Sequence, residues 1–424
     1  SWPTNLRVGV STVVPLKALS KPQIFATNKW VSQPMSITYA LSQVAARSIA
    51  PVSLDKPVEL GQLPTPALVL ERGAMERNMR KMADHVSAAG KGFRPHSKTH
   101  KCPAIAQLQI DLGAVGICAA KISEAAIMLG AGIPSVLITS PIATSAKVQA
   151  LNALLGEYAG RELLLVVDSV QGLAALQGAI DADRRLGLLV DIDLSMGRTG
   201  TREVETMSRL IDAMMGDERF AFRGIQHYAG HLMHIEEYAK RREKSLVSWS
   251  RLDEFFTALE QQGIPVDIVT GGGTGTYDVD VLVERLTDIQ VGSYIFMDEE
   301  YRVLASAGGS RFEDFELALT VACSTISQPQ PKTITVDGGY KAFASDSVNP
   351  ICDDLPGVEY RFAGDEHGVL LLGEGQQEVQ LGQVLRFAAP HCDPTVNLHD
   401  YYWVLEDDGL VHSAWPISAR GCSW

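Results

Sequence analysis

A parallel (β/α)8 barrel with a second, mainly antiparallel β domain is the fold class this sequence predicts, on three observations. Between about residues 72 and 304, short apolar runs alternate eight times with stretches of helical character. Most of those runs, such as Glu162-Leu-Leu-Leu-Val-Val167, lack polar–apolar alternation, as strands covered on both faces do. Beyond residue 305 the long helical stretches stop, and strand-like runs lie between Gly, Pro, Asp and Asn turns. Eight strand–helix units followed by such a tail fit a barrel with an appended sheet. A chain of 424 residues is long enough for both.

Composition narrows the class. Apolar residues make up 46% and charged residues 21%, close to a soluble globular enzyme. A net charge of −13 argues against nucleic acid or an anionic membrane as partner. No apolar run reaches spanning length, so no transmembrane helix is expected. Six scattered cysteines with no CxxC fit a reducing compartment and small core side chains.

In chain order, residues 1–54 contain no Asp or Glu, yet carry Arg7, Lys17, Lys21, Lys29 and Arg47 among many hydroxyls. Such a leader has the composition of an organellar transit peptide, or of upstream sequence before a start at Met35. Residues 1–57 are therefore set apart. The expected location is cytoplasmic, or chloroplast or mitochondrion if the leader targets. Residues 58–71, with the apolar run Ala67–Leu70, are expected to join residues 305–424 in the β domain, and residues 72–304 to form the barrel. Barrel strands are expected near 92–98, 114–119, 135–140, 162–167, 186–192, 222–228, 266–270 and 288–293. Helices are expected over Met75–Ala89, from Pro103, over Ser123–Gly130 with its capping glycine, and over Glu237–Gln262. The β domain's strands are expected over 316–324, 332–336, 368–372, 384–387 and 401–405.

The stretch Gly92-Phe-Arg-Pro-His-Ser-Lys-Thr-His-Lys101 carries the most pointed chemistry. Read as a strand with its exit loop, it sets His96, Lys98 and His100 on one face. Neighbouring polar or cationic groups and desolvation are expected to lower the pKa of Lys98, and a free amine attacks an aldehyde to form a Schiff base. In a barrel of this kind reactive groups sit at the C-terminal ends of the strands. Lys98 ends the first strand and Met196-Gly-Arg198-Thr-Gly200 follows the fifth. Gln226-His-Tyr228-Ala-Gly-His231-Leu-Met-His234 runs off the sixth, and Gly271-Gly-Gly-Thr274-Gly-Thr276 follows the seventh. That glycine-rich loop suits a phosphate, because backbone amides can approach an anion closely and threonine hydroxyls add donors. A Schiff-base lysine together with a phosphate loop implies pyridoxal 5′-phosphate.

Pro95-His-Ser-Lys98-Thr-His-Lys101, Gln226-His-Tyr228-Ala-Gly-His231, Gly271-Gly-Gly-Thr-Gly-Thr276 and Pro390-His391-Cys392-Asp393 together resemble the D-threonine aldolase and D-serine dehydratase family. That family belongs to the alanine racemase-like, fold-type III pyridoxal phosphate enzymes, and the resemblance runs from about residue 61 to the C-terminus. It implies that Lys98 holds the cofactor, with His96 beside it. Arg198 would face the phenolic oxygen or ring, Tyr228 would lie against the cofactor, and Gly272, Gly273 and Thr274 would hold the phosphate. His391 and Asp393 would bind a divalent metal, Mn²⁺ first, with Zn²⁺, Co²⁺ or Mg²⁺ as alternatives; i, i+2 spacing on an extended segment would put both on one face. Cys392 would point away and pack. His234 is the candidate base, with His227 and His231 as neighbours of mixed expectation. Val336-Asp337-Gly-Gly-Tyr-Lys341 with Ser345-Asp346 is read mainly as architecture around the entrance.

These parts imply a metal-dependent lyase that cleaves D-threonine and related D-β-hydroxy-α-amino acids to glycine and an aldehyde. The same parts would serve a D-serine or 3-hydroxyaspartate dehydratase, although that branch tends to carry Cys where this chain has Asp393. A pyridoxal phosphate carrier would lack the second domain and the metal pair. The expected partner is a small D-amino-acid substrate, and a homodimer is expected.

Overall fold

The computed structural model describes residues 47–373 and 378–424; the leader's first 46 residues, Met35 among them, lie outside the described residues. The chain enters as strand β1 (Val52–Val58), then β2 (Ala67–Glu71). Both belong to the second sheet rather than the barrel. β1 pairs antiparallel with the last strand of the chain, Val52 opposite Ala414 and Val58 opposite Val411. The leader boundary at residue 57 is therefore corrected: residues 52–57 form an edge strand. The leader's composition had set this run apart, and its Pro57 is tolerated because one side of an edge strand donates no ladder bonds. On β1, Leu54 and Val58 pack on a cluster containing Leu63, Ala67, Val69, Ala322 and Val411.

Helix α1 (Arg72–Ala88) carries the chain into the barrel. It buries Met75, Met79, Met82 and Val86, the three-to-four-residue spacing of one helical face. Strands and helices then alternate: β3 (Gly92–Phe93), α2 (Pro103–Asp111), β4 (Ile117–Ala119), α3 (Ile122–Gly130), β5 (Ser135–Ile138), α4 (Ser145–Glu157), β6 (Glu162–Val167) and α5 (Val170–Gln177). After them come β7 (Leu186–Ile192), α6 (Val204–Met215), β8 (Phe220–His227), α7 (Tyr238–Ser250), α8 (Asp253–Gln261), β9 (Ile268–Gly271), α9 (Tyr277–Asp280) and β10 (Asp288–Ile289). The eight strands are parallel in the order β3-β10-β9-β8-β7-β6-β5-β4. A parallel bridge between His96 and Cys118 joins the two ends of this order and closes the sheet on itself.

Inside the barrel, Cys118, Leu137, Leu164, Val166, Leu189 and Ile268 form one apolar cluster. Burying each of the larger side chains stabilises the fold by about 1.5–3 kcal/mol. At the N-terminal end the filling is ionic: Arg94 donates to Ser135 Oγ at 2.9 Å and lies 3.4 Å from Asp288. The barrel is thus a packed core, with Arg94 filling its N-terminal end.

Two expected elements divide. The run 92–98 keeps strand geometry only to His96, where the chain turns. Lys101 N–H donates to Ser97 O at 2.7 Å, a helical turn, and Lys101 itself adopts φ 51°. The span 237–262 is two helices, because the chain between them breaks at Arg251 and Leu252.

After β10 comes α10 (Glu299–Arg302), and the rest is mainly sheet: β11 (Leu319–Gln330), β12 (Thr333–Val336), β13 (Ile351–Cys352), β14 (Glu359–Phe362), β15 (Gly368–Leu371), β16 (Val384–Ala388), the short helix α11 (Cys392–Val396), β17 (Tyr401–Leu405) and β18 (Val411–Pro416). β2 lies between β17 and β11, parallel to the first and antiparallel to the second. All six cysteines are free and buried. Among the described residues, no helix is long and apolar enough to cross a membrane.

Candidate active site

A cavity of about 700 Å³ opens at the C-terminal mouth of the barrel. His96, Lys98, Arg198, Tyr228, Gly273 and Thr274 line it, from the ends of β3, β7, β8 and β9. Six of the ten residues singled out from sequence thus meet in one place. Gly272, His234, His391 and Asp393 are not in its wall.

Lys98 occupies the turn after His96. Its ammonium pairs with Asp393, on α11, 295 residues away in the chain. Burial opposes the charge on Lys98, but Asp393 and then Tyr228 more than offset it and hold its pKa above the ordinary value. The expectation of a lowered lysine pKa is therefore corrected, and the reason is the turn. Because the chain leaves extended geometry at His96, His100 does not share the face of Lys98. It is fully buried, its Nδ1 accepting from Cys102 N–H at 3.1 Å, and burial lowers its pKa to about 3. His96 is neutral for the same reason: burial first, then the Lys98 charge, lower its pKa well below the ordinary value. Its Nδ1 accepts from Lys98 N–H at 3.3 Å, so the proton sits on Nε2, which donates to Thr139 Oγ1 at 3.0 Å. Lys101 points elsewhere and pairs with Glu124 under the barrel rim.

Across the cavity, the Arg198 guanidinium lies 5.3 Å from the Tyr228 ring centroid. The Arg198 loop is pinned by Asp193, whose carboxylate accepts the N–H groups of Ser195 and Met196 at 2.9 and 2.6 Å. On the floor, Gln226 donates to the buried Asp191 carboxyl at 2.9 Å and accepts from Gln290 at 3.0 Å.

The glycine loop is organised from below. Gly272 adopts φ 68°, and a side chain there would collide with the Asp280 carboxylate. Asp280 accepts Ser245 Oγ–H at 2.7 Å, Trp249 Nε1–H at 2.9 Å, Gly273 N–H at 3.3 Å and the Thr276 hydroxyl. Gly272 therefore serves the loop's shape rather than the cavity wall, and Gly273 N–H is turned toward Asp280. Thr274 faces the cavity, its hydroxyl oxygen accepting from Tyr294 N–H at 3.1 Å.

The metal motif departs from the expected extended segment: His391 is extended but Cys392–Val396 is helical, so alternation does not set its faces. The segment is held against α10 by three hydrogen bonds. Glu299 N–H and Glu300 N–H donate to Ala389 O and Pro390 O at 3.0 Å each, and Cys392 N–H donates to Asp298 Oδ2 at 2.8 Å. Cys392 is fully buried. His391 Nδ1 lies 2.9 Å from Asp346 and 3.6 Å from Glu300. Burial, with Asp346 and Asp393 adding to it, raises the pKa of Glu300. An imidazole among Asp393, Asp346, Glu300 and Asp298 has the donor chemistry a divalent cation takes. Among the described residues, however, no three His, Cys, Asp or Glu side chains are arranged around one ion position. The fit is one of chemistry, with Asp393 engaged by Lys98.

His234 sits exposed at the rim, 3.8 Å from Glu300 and against the ring of Tyr301, which lines the cavity. His227 is structural: its ring bonds Ile192 O and Ser248 Oγ, both at 2.9 Å. Sequence reasoning missed Thr139, Asp168, Gln290, Tyr301, Asp298 and Glu300. Thr139 and Asp168 directly follow apolar strand runs, so the rule placing reactive groups at strand ends could have found them.

The cavity fits pyridoxal phosphate on its own features: an amine in the wall, a glycine turn opening onto it, and the Arg198 guanidinium with no carboxylate partner among the described residues.

Comparison with known proteins agrees. Residues 70–300 match the family model for the alanine racemase N-terminal domain, and residues 318–405 match a serine dehydratase domain. A 3-hydroxy-D-aspartate aldolase of Paracoccus denitrificans is 36% identical, covering 85% of this chain and 93% of its own length. A D-threonine aldolase of Arthrobacter sp. is 35% identical over 90% of this chain and all of its own. The crystal structure of D-threonine aldolase from Filomicrobium marinum superposes with a TM-score of 0.83 at 33% identity, covering 88% of this chain and 100% of that one.

Proposed function

Since the chain belongs to the alanine racemase-like family that includes the D-threonine and 3-hydroxy-D-aspartate aldolases, we propose that it is a pyridoxal phosphate-dependent lyase splitting the Cα–Cβ bond of D-β-hydroxy-α-amino acids into glycine and an aldehyde. The observation that carries the reading is the meeting of Lys98, on the barrel, with Asp393, from the β domain, beside a cavity ending in the glycine loop.

Lys98, His96, Arg198, Tyr228, Gly273 and Thr274 would hold the cofactor, which when bound supplies an electron sink for bonds at the substrate Cα. His391 and Asp393 would hold a divalent ion, which there lowers the pKa of a hydroxyl it binds. The chain's own groups do the rest. Lys98, in the cavity wall, is the group placed to hold or release a proton at the substrate Cα. Neutral His96 fixes the Lys98 backbone through its Nδ1 acceptor. His234 is the base for the β-hydroxyl proton; partial desolvation at the rim, with the His391 and Lys98 charges adding to it, lowers its pKa, so its imidazole is free to accept at neutral pH. Tyr301 and Tyr228 wall the cavity between it and Arg198, restricting water.

The test incubates the protein with D-threonine or 3-hydroxy-D-aspartate, pyridoxal phosphate and Mn²⁺. Glycine with acetaldehyde or glyoxylate is the expected result. Ammonia with a 2-oxo acid would replace the aldolase reading by a dehydratase.

A further inference from the structure

The cavity wall carries one more cation than the cofactor reading uses. Lys121 stands where β4 leaves the barrel, and it lines the same cavity as Lys98. Its place is fixed by the start of α3: Ala120 N–H donates to Glu124 Oε2 at 2.8 Å, and Ala125 N–H donates to Lys121 O at 3.0 Å. Glu124, 1% exposed, is itself anchored by Lys101. The backbone that presents Lys121 is thus rigid.

The other cations of this region are engaged. Lys98 pairs with Asp393, Lys101 with Glu124, and Arg198 stacks on Tyr228. The Lys121 ammonium has no hydrogen bond or ion pair among the described residues. Asp168, the acid in the wall, accepts Gly200 N–H at 3.1 Å. In a chain of net charge −13, an ammonium without an ion pair, on a residue of the cavity wall, is a receptor for an anion from outside.

Position says which anion. The glycine loop follows β9, three strands from β4 around the closed sheet, and Arg198 follows β7, three strands away in the other direction. Lys98, where the substrate's amino group must react, ends the neighbouring strand β3. From these observations, and resting on the lyase reading above, we infer that Lys121 Nζ binds a carboxylate of the amino-acid substrate. D-Threonine offers one carboxylate and 3-hydroxy-D-aspartate two, so the same ammonium either grips the α-carboxylate of both or selects the distal group of the second.

The test compares Lys121→Met and Lys121→Arg with the parent holoenzyme on both substrates. A charge-assisted hydrogen bond lost from a cavity corresponds to about a 10- to 100-fold drop in kcat/KM. For Lys121→Met that drop should fall mainly on KM, and Lys121→Arg should recover most of it. A drop confined to 3-hydroxy-D-aspartate assigns the distal carboxylate, and an equal drop on both substrates assigns the α-carboxylate. Unchanged kcat/KM on both overturns the inference. Calorimetric binding of D-aspartate to parent and Lys121→Met gives a readout independent of turnover and should weaken by the same factor. A parent that cleaves neither substrate would refute the lyase reading, while the D-aspartate titration still decides the role of Lys121. If Lys121→Met does not fold, Lys121→Gln removes the charge with less change in polarity, and equal D-aspartate binding by it overturns the inference.

Discussion

Replacing Asp280 by alanine tests how the glycine loop is held. Four donors converge on this buried carboxylate: the Thr276 and Ser245 hydroxyls, the Trp249 indole and the Gly273 amide. The hydroxyls can turn to other acceptors, whereas the indole and the amide are fixed by ring and backbone. Each buried donor left unpaired costs about 1–3 kcal/mol, so the two rigid ones together cost about 2–6. An opposing contribution comes from the charge. Burial raises the Asp280 pKa from 3.8 to about 6 despite the hydrogen bonds. An acid whose folded pKa lies above its unfolded one binds more protons in the native state, so its contribution to stability falls as pH rises from about 4 to 6. That shift amounts to about 3 kcal/mol at neutral pH, relieved when the carboxyl is removed. The net effect of Asp280→Ala is therefore between about −1 and +3 kcal/mol of lost stability at pH 7, and the loss is about 2 kcal/mol greater at pH 4.5. Urea unfolding of both proteins at the two pH values measures this directly. Loosening of the loop should also weaken pyridoxal phosphate binding about tenfold or more, read by fluorescence titration. Equal stability loss at both pH values would refute the charge argument, and unchanged cofactor affinity would refute the role of the loop.

Borohydride reduction in the presence of pyridoxal phosphate should label Lys98; label on Lys101 would contradict its burial against Glu124. Asp393→Ala should bind the cofactor yet lose about 10²-fold or more of its cleavage rate with Mn²⁺ present, the scale of acid–base and metal assistance; parent activity in chelator would exclude the metal site. A chain beginning at Arg47 should keep its turnover, whereas one beginning at Gly61 loses β1 with Leu54 and Val58. Those two half-buried side chains are worth about 2 kcal/mol together, lowering the melting midpoint of a chain this long by about 2–3 °C in calorimetry.

Legibility followed the range of the interactions. β6 and β7 begin and end where their apolar runs do, because a strand covered on both faces is written in local sequence. β18 was missed: Val411-His-Ser-Ala-Trp-Pro416 is short and mixes polar with apolar residues, and its pairing partners are β1 and β17, of which β1 lies more than 350 residues away. In the site, Lys98, Arg198 and Thr274 were legible because strand ends in a barrel converge by topology alone. The error over Lys98 was of another kind. Its pKa depends on a carboxylate 295 residues away, and its separation from His100 depends on a turn that begins one residue after His96. Neither leaves a periodic trace. Asp298 escaped for a similar reason: it joins Tyr301 N–H, three residues on, to Cys392 N–H, 94 residues away.

The placement of β2 has a consequence for how the molecule is made. This strand is among the first described segments to be synthesised, yet its partners β11 and β17 begin at Leu319 and Tyr401. During synthesis Ala67–Leu70 must wait, unpaired and apolar, while the whole barrel is translated between them. Such long-range pairing is slow to form and leaves a sticky edge exposed meanwhile. The barrel contacts are more local, so the barrel and its lysine should be in place first. Arrival of the last strands then seats β2 and brings α11 with Asp393 onto Lys98. Catalytic competence would therefore be the final event of folding, reached only by a chain translated nearly to its end, and a prematurely terminated chain would hold its lysine without its counter-charge.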